Sequence, residues 1–303
     1  RQEWPISCRC RMDCPIAVVL ISREARPLLD VSLASLTQEQ TLGFELIVVE
    51  GGFSANANLA LAQCSAPLIA FLTAGDRIEP GRLSGAVQTF QSQPELRQLH
   101  CGWQLRDRHG TLLAVEQPWL QHPSFGWSSL MQQRLVVPSC WTVRRQAVLE
   151  AGGFRPEQDN LAPLDLALRL AGPAGTSTWQ PQVLVRHTPA HQPPWRHQLR
   201  QLQELLEPNW QRLPASHQAW AAETRLDLAL EGVALAWTAG DTPGAIDQLS
   251  KVPNWSAMPL ARRAPHLLEH LHRRYCRGGL KWDRQAVMET PAWRQSVQLL
   301  HRP

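Results

Sequence analysis

The sequence predicts an α/β protein in which a mostly parallel sheet, with helices on both faces, is followed by a small all-helical domain. Continuous apolar runs at residues 15–22, 45–50 and 68–72 alternate with segments whose apolar residues have helical spacing. This alternation is typical of strand–helix–strand units and a parallel sheet. Strand patterns stop near His187, where prolines cluster, and only helical patterns follow. At 303 residues the chain is long enough for two domains.

The α/β part is expected at residues 15–190, after a short tail at 1–14 that contains cysteine and arginine. Its first strand, 15–22, is an unbroken apolar run with several β-branched residues, as in strands buried on both faces. Strands that are joined by helical crossovers run parallel, and these crossovers are right-handed. The carboxyl ends of consecutive strands therefore meet at one edge of the sheet. Glu50 and Asp76, which end or follow the second and third strands, should therefore lie at the same edge.

The helical domain is expected at residues 191–303. The segment 187–195 holds three prolines and predicts a linker. Thr242, just before Pro243, fits the start of a helix. Apolar residues at helical spacing predict the other helices at 198–206, 215–239, 259–276 and 284–300.

Asp76 closes the segment Thr73-Ala74-Gly75-Asp76 after the third predicted strand. Ligands of open α/β sheets bind outside the carboxyl ends of the strands. A carboxylate at this place can hold a phosphate-bound Mg²⁺ or Mn²⁺. The alternative is that Asp76 caps the next turn, ahead of Pro80. This segment alone leaves both interpretations open.

Several short motifs follow one another in order over the first 190 residues. They are Ile21-Ser22-Arg23-Glu24, Val48-Val49-Glu50-Gly51-Gly52, Ala57-Asn58, Leu72-Thr73-Ala74-Gly75-Asp76, Arg144-Arg145 followed by Gly152-Gly153-Phe154, and Ala162-Pro163-Leu164-Asp165-Leu166-Ala167-Leu168-Arg169. Their order and spacing make this part of the chain similar to the family 2 glycosyltransferases, which have the GT-A fold.

The resemblance implies transfer of a sugar from a nucleotide-diphosphate sugar to a glycan, lipid or protein acceptor. It implies a divalent cation, Mg²⁺ or Mn²⁺, held by Asp76. The residues that it assigns to donor binding are Ser22, Glu24, Glu50, Gly51 and Asn58.

The metal and base motifs depart from the family pattern. Thr73 and Gly75 stand where the family has aspartates, which leaves Asp76 alone. Pro163 falls on the position of the general base, and proline cannot accept a proton. The base would then be Asp165, which matches the second Asp of the motif, or Asp159 on the preceding loop. The competing hypothesis is a catalytically inactive, glycosyltransferase-like binding or scaffold protein.

Composition argues against several other classes of protein. The net charge is +4 and the arginines are scattered, so we expect no nucleic-acid partner. No apolar run approaches the ~20 residues of a membrane-spanning helix. The seven cysteines are odd in number, which favours a reducing compartment and a cytoplasmic location.

Two motifs resemble metal sites. Cys8, Cys10 and Cys14 offer only three ligands at an unusual spacing, so we expect a reduced tail rather than a zinc site. Residues 266–270 spell H-x-x-E-H, the inverted zinc-peptidase signature. Arginines crowd the same helix and repel cations, so a basic, solvated face is expected at residues 262–274.

Overall fold

The computed structural model describes residues 14–22, 26–171, 176–189, 193–211, 213, 215–252 and 258–301. Within these ranges the strands are β1 (Ile16–Ser22), β2 (Glu45–Glu50), β3 (Leu68–Thr73), β4 (Arg77–Ile78), β5 (Gln98–Arg106), β6 (Leu112–Glu116), β7 (Trp141–Arg144) and β8 (Ser177–His187). The helices are α1 (Arg26–Leu36), α2 (Phe53–Gln63), α3 (Arg82–Ser92), α4 (Trp127–Gln133), α5 (Arg145–Glu150), α6 (Ala162–Leu170), α7 (Trp195–Gln211), α8 (Gln218–Thr238), α9 (Thr242–Ser250), α10 (Leu260–Arg277), α11 (Arg284–Glu289) and α12 (Pro291–Leu300).

The strands form one sheet in the order β2-β1-β3-β7-β5-β8-β4, with β6 paired to β5. The pairs β1–β2 and β1–β3 are parallel, as the sequence predicts. Leu20, Val49 and Phe71 are buried on these neighbouring strands. All seven residues of β1 are buried, which explains its unbroken apolar sequence.

The other half of the sheet differs from the mostly parallel arrangement that was expected. The pairs β3–β7, β5–β7 and β4–β8 are antiparallel. The turn before β7 lies beside the end of β3, where the Ser139 hydroxyl accepts a hydrogen bond from the Thr73 amide at 3.0 Å. Strand β7 therefore starts where β3 ends and runs back along it. The sheet is mixed for this reason.

The aromatic core of the sheet connects these two halves. Phe71 of β3 stacks on Trp141 of β7, with ring centroids 5.6 Å apart. Phe154 meets Phe71 edge to face at 5.5 Å. Such pairs contribute about 0.5–1.5 kcal/mol each beyond the burial of their area.

The chain divides into two compact units, residues 1–104 with 115–188, and residues 105–114 with 189–303. The second unit is helical apart from the 105–114 segment. Its helices α7 to α10 occupy the segments in which helical spacing predicts them. The predicted helix at 284–300 is instead two helices, because Pro291 restricts the residue before it to an extended conformation. Thr290 has ψ 146° and caps α12 through its hydroxyl.

No helix in the described part of the chain is both long and apolar enough to cross a bilayer.

His100 is a buried titratable group in the first unit. It lies on β5 and is 3% exposed. Its Nε2 accepts a hydrogen bond from the Val137 amide at 3.3 Å, and its Nδ1 lies 2.8 Å from the Cys101 carbonyl, to which Nδ1–H donates. The ring is therefore placed to be neutral, and burial lowers the pKa of His100 to about 3.

We predict that His100 makes the protein sensitive to acid. In the folded protein the pKa of His100 is about 3, below the usual 6.5. Between these two pH values the unfolded chain therefore binds more protons than the folded chain. This contribution to the free energy of unfolding is complete above pH 6.5 and falls by about 1.4 kcal/mol per pH unit below it. Urea unfolding from pH 7 to pH 4 should show a shallower pH dependence for His100→Gln than for the wild type. The exposed His109→Gln variant should keep the wild-type slope, and equal slopes in all three proteins would contradict the assignment.

Candidate functional site

The carboxyl ends of the three parallel strands meet at one edge of the sheet. Ser22 is in register with Glu50 on β2. The Gly51 amide donates to the Ser22 carbonyl at 2.8 Å, and the Ala74 amide donates to the Ile21 carbonyl at 2.9 Å. The segments that follow β2 and β3 therefore leave the sheet on either side of the end of β1.

Glu50 ends β2 with an exposed side chain. Within the described ranges, its carboxylate has no hydrogen bond or ion pair. Its carbonyl accepts from the Asn56 side chain at 3.0 Å, and that amide also binds the Gly52 carbonyl at 2.7 Å. Gly51 has φ +118°, and a Cβ there would lie 3.0 Å from Asn56 Nδ2, so glycine suits this turn. Glu50 can thus reach a ligand from a fixed backbone.

The turn that carries Asp76 is fixed by α1. Ser32 Oγ donates to the Asp76 carbonyl at 2.7 Å and accepts from the Gly75 amide at 3.0 Å. Gly75 has φ +98°, a conformation that other residues rarely adopt. The Asp76 amide closes the turn on the Thr73 carbonyl at 3.0 Å.

The Asp76 side chain is fully buried, with 0% exposure. Its Oδ2 accepts from the Ser139 hydroxyl, and its Oδ1 accepts from the Thr188 amide at 3.0 Å. His187 Nδ1 lies 3.0 Å from Oδ2 and 3.1 Å from Oδ1. In the described contacts, the carboxylate therefore binds residues far away in sequence. It does not cap its own turn, which was the alternative expectation for Asp76.

Asp76 and His187 are two donors that could hold a divalent cation. The imidazole and carboxylate atoms lie 3.0 Å apart, which suits two ligands on one ion with bonds of about 2.0–2.2 Å. His187 is 19% exposed, so the pair is open on its imidazole side. Diphosphate oxygens and water would complete the coordination of an ion at this place.

Asn58 is held in a contact within the fold. Its Nδ2 donates to the Phe154 carbonyl at 2.7 Å, and its Oδ1 accepts from the Phe154 amide at 2.9 Å. Gly153 has φ +72°, and a Cβ there would lie 2.8 Å from Asn58 Oδ1. The motif residues Asn58 and Gly153 thus pin the turn before Phe154. Donor binding by Asn58 stays a prediction, and its amide is occupied by this turn.

Asp165 lies in the first turn of α6 and is 3% exposed. Its Oδ2 accepts from Arg169 Nη2 at 2.6 Å, and its Oδ1 accepts from Arg155 Nη1 at 3.3 Å. Arg169 also donates to the carbonyls of Ala151 and Gly153 at 2.6 and 2.8 Å. Asp165 therefore orients the arginine that holds the glycine turn. Its role as a base stays a prediction, with both oxygens engaged.

The remaining predicted site residues are placed as follows. Pro163 is buried near the start of α6. Asp159 lies in the short turn Pro156–Leu161, and its side chain is outside the described part of the chain. Glu24, Cys8 and Cys10 also lie outside the described residues.

Sequence reasoning missed Ser32, Ser139 and His187. Serines without a motif carry no signal of their own. His187 was assigned to the start of a proline-rich linker, whereas it is the last residue of β8. Only the pairing of β8 within the sheet brings it to Asp76.

Comparisons with known proteins identify the fold. No protein-family model and no curated protein matches the chain. The structure of S. aureus TarS 1-349 is similar to it with a TM-score of 0.57 and 13% identity, over 93% of this chain and 90% of that one. TarS 1-349 in complex with UDP-GlcNAc gives 0.54 and 14%, over 93% and 90%. The mannosyltransferase PcManGT from Pyrobaculum calidifontis, in complex with GDP-Man and Mn²⁺, gives 0.52 and 13%, over 99% and 88%.

These glycosyltransferases share a GT-A-like fold, and the α/β, GT-A-like architecture expected for the chain is confirmed. Identities of 13–14% show the fold alone. Membership of family 2 stays a prediction from the sequence motifs.

We predict that Asp165→Asn lowers the free energy of unfolding by about 3 kcal/mol, because it breaks a buried ion pair. Asp247→Asn is the matched control, since Asp247 also pairs with a cation four residues later, Lys251, but both side chains are exposed. It should cost at most about 0.5 kcal/mol. Chemical denaturation of both variants measures the difference. Similar small losses would show that Asp165 does not anchor the fold.

Proposed function

We propose that the chain is a glycosyltransferase of the family 2 type, which moves a sugar from a nucleotide-diphosphate sugar to an acceptor hydroxyl. The observation that carries this proposal is the joint placement of Glu50 and the Asp76–His187 pair. Glu50 ends β2 and Asp76 follows β3 at the carboxyl edge of the parallel strands, and His187 at the end of β8 meets Asp76 there. This edge is where open α/β sheets bind their ligands.

The nucleotide-sugar substrate class has two further supports. TarS 1-349 has been solved with UDP-GlcNAc, and PcManGT with GDP-Man and Mn²⁺. The motif order of the first 190 residues points to the same donors. We therefore assign Ser22, Glu50 and Gly51 to the donor side of the site, with Glu24 beside them in sequence.

The reaction requires that negative charge on the leaving nucleoside diphosphate be neutralised. Asp76 and His187 would hold a divalent cation, Mn²⁺ or Mg²⁺, which supplies this electrostatic stabilisation when bound. To do so, His187 must present an unprotonated Nδ1, and Asp76 must exchange a hydrogen bond for the ion. The hydrogen bonds from Ser139 and the Thr188 amide would hold the carboxylate in place when an ion is bound.

An acceptor hydroxyl also needs a base to take its proton. Asp165 and Asp159 are the candidates, since Pro163 stands at the family position. Arg155 and Arg169 are ion-paired with Asp165 and occupy both of its oxygens. Asp159 lies on the 3₁₀ turn Pro156–Leu161, which leads directly into α6. Asp159 is therefore our preferred base, and Asp165 the alternative.

A second candidate function is a nucleotide-sugar-binding or scaffold protein without catalysis. It is favoured by the burial of Asp76, whose oxygens are already hydrogen bonded, and by Pro163 at the family base position. The two candidates differ in turnover and share the fold.

We predict Mn²⁺-dependent binding of UDP-GlcNAc or GDP-Man, measured by isothermal titration calorimetry. His187→Gln should weaken it by more than about tenfold, or 1.4 kcal/mol, because the imidazole ligand is lost. His109→Gln removes an exposed histidine and should bind as the wild type does. Asp76→Asn should also lose the metal dependence, but it removes a buried charge, so His187→Gln is the cleaner variant. Equal affinity with and without Mn²⁺ in all proteins would contradict the metal assignment.

We predict release of nucleoside diphosphate from one member of a panel of nucleotide sugars that includes UDP-GlcNAc and GDP-Man. Asp159→Asn should lower kcat by at least about 100-fold, the typical contribution of a general base. Asp165→Asn should act mainly through stability and keep kcat at a temperature where it is folded. Loss of kcat in folded Asp165→Asn alone would reverse the assignment. Nucleotide binding without turnover would favour the binding-protein alternative.

A further inference from the structure

Three metal-ligating side chains meet between α8 and α10 in the helical unit. Asp227 on α8 faces His266 and His270, which lie one turn apart on α10. His266 Nε2 is 3.1 Å and His270 Nε2 is 3.3 Å from the same oxygen, Asp227 Oδ1. One ligand atom from each residue lies within 4.8 Å of the other two. This cluster is remote in sequence from Asp76 and from every motif of the α/β unit.

The separations suit a tetrahedral ion. Two ligands with bonds of about 2.0–2.2 Å to Zn²⁺ lie roughly 3.3–3.6 Å apart at a tetrahedral angle. His270 Nε2 lies 3.3 Å from Asp227 Oδ1, at the edge of this range, and His266 Nε2 lies 3.1 Å from it, slightly closer than the range. The two imidazole rings are nearly perpendicular, at 82°, with centroids 5.0 Å apart. Small rotations of these side chains would therefore be enough to receive an ion.

His270 corrects the expectation of a solvated basic face. It is 1% exposed, so its imidazole lies within the helical packing and not on a solvated face. Asp227 and His266 are 22% and 28% exposed, so one side of the cluster is accessible to solvent. An ion held here would keep at least one position for water.

Three neighbouring arginines on α10 have partners outside the cluster. Arg273 pairs with Glu269 at 3.4 Å, and Arg274 donates to Gln198 on α7 at 3.2 Å. Arg263 donates to the carbonyls of Met258 and Leu300. Glu231 lies one turn after Asp227 on α8. Its negative charge, like that of Asp227, favours a positive charge at the position of His270. The two carboxylates offset the positive charge of Arg273.

We propose that Asp227, His266 and His270 bind a divalent transition ion of the Zn²⁺ type, which joins α8 to α10. The ion replaces the hydrogen bonds from the imidazoles to Asp227 Oδ1, and each coordinating nitrogen gives up its proton or binds as the other tautomer. Glu269, the acid of the H-x-x-E-H pattern, is 59% exposed and paired with Arg273. It lies outside the three-residue cluster, and the proposal assigns it no role.

The test is a zinc titration of the metal-stripped protein against a chromophoric chelator. Cys8, Cys10 and Cys14 are replaced by serine and His187 by glutamine in all variants, so that neither thiolates nor the Asp76–His187 pair competes. One equivalent of Zn²⁺ should bind and raise the melting temperature, because binding to the native state stabilises it. Asp227→Asn, His266→Gln and His270→Gln should each weaken binding by more than about tenfold.

Two variants on the same helix serve as controls. Glu269→Gln removes the acid of the motif, and His272→Gln removes an exposed histidine; both should bind Zn²⁺ as the parent does. His266→Gln keeps the test valid if the buried His270→Gln fails to fold. Co²⁺ should give the visible absorption of a tetrahedral site in the parent and lose it in His266→Gln. Binding that is absent, or equal in the Asp227, His266 and His272 variants, overturns the proposal.

Discussion

The buried carboxylate of Asp76 joins four separate parts of the first unit. The turn that carries it is held by Ser32 of α1, its Oδ2 by Ser139 before β7, and its Oδ1 by Thr188 after β8. Ser139 also accepts from the buried Arg82 through its carbonyl, at 3.3 Å. A buried negative charge and a buried positive charge thus share one serine. An unpaired charge in such a place would be costly, so these contacts have to form together.

This arrangement ties function to stability at one residue. A carboxylate fixed by donors from distant strands is pre-organised, which favours electrostatic stabilisation of a leaving group. The same donors compete with an ion for its oxygens. His187 resolves part of this competition, because it is partly exposed and is itself a possible ligand. Two further motif residues also stabilise the fold. Asn58 binds the backbone of Phe154 directly, and Asp165 holds Arg169, which donates to the Gly153 carbonyl.

The helical unit has its own polar centre. Asp227, His266 and His270 connect two helices that are 39 to 43 residues apart in sequence at the contact. Gly232, on the same helix as Asp227, allows close packing, since a Cβ there would lie 2.9 Å from Leu199 of α7. The unit is thus packed by apolar contacts on one face of α8 and by the polar cluster on another. Neither depends on the chemistry proposed for the sheet edge.

The sequence by itself determined the parallel half of the sheet, because apolar runs such as 15–22 are local signals and crossovers have one hand. It also placed Glu50 and Asp76 on the segments that leave the same edge, since parallel strands end together. It did not determine the direction of β7, which depends on where the chain returns after a long excursion. Nor did it find Ser139, His187 or Asp227, because their partners are distant in sequence. The burial of Asp76 and the contact of His270 with a carboxylate follow from packing between elements, which no local sequence pattern encodes.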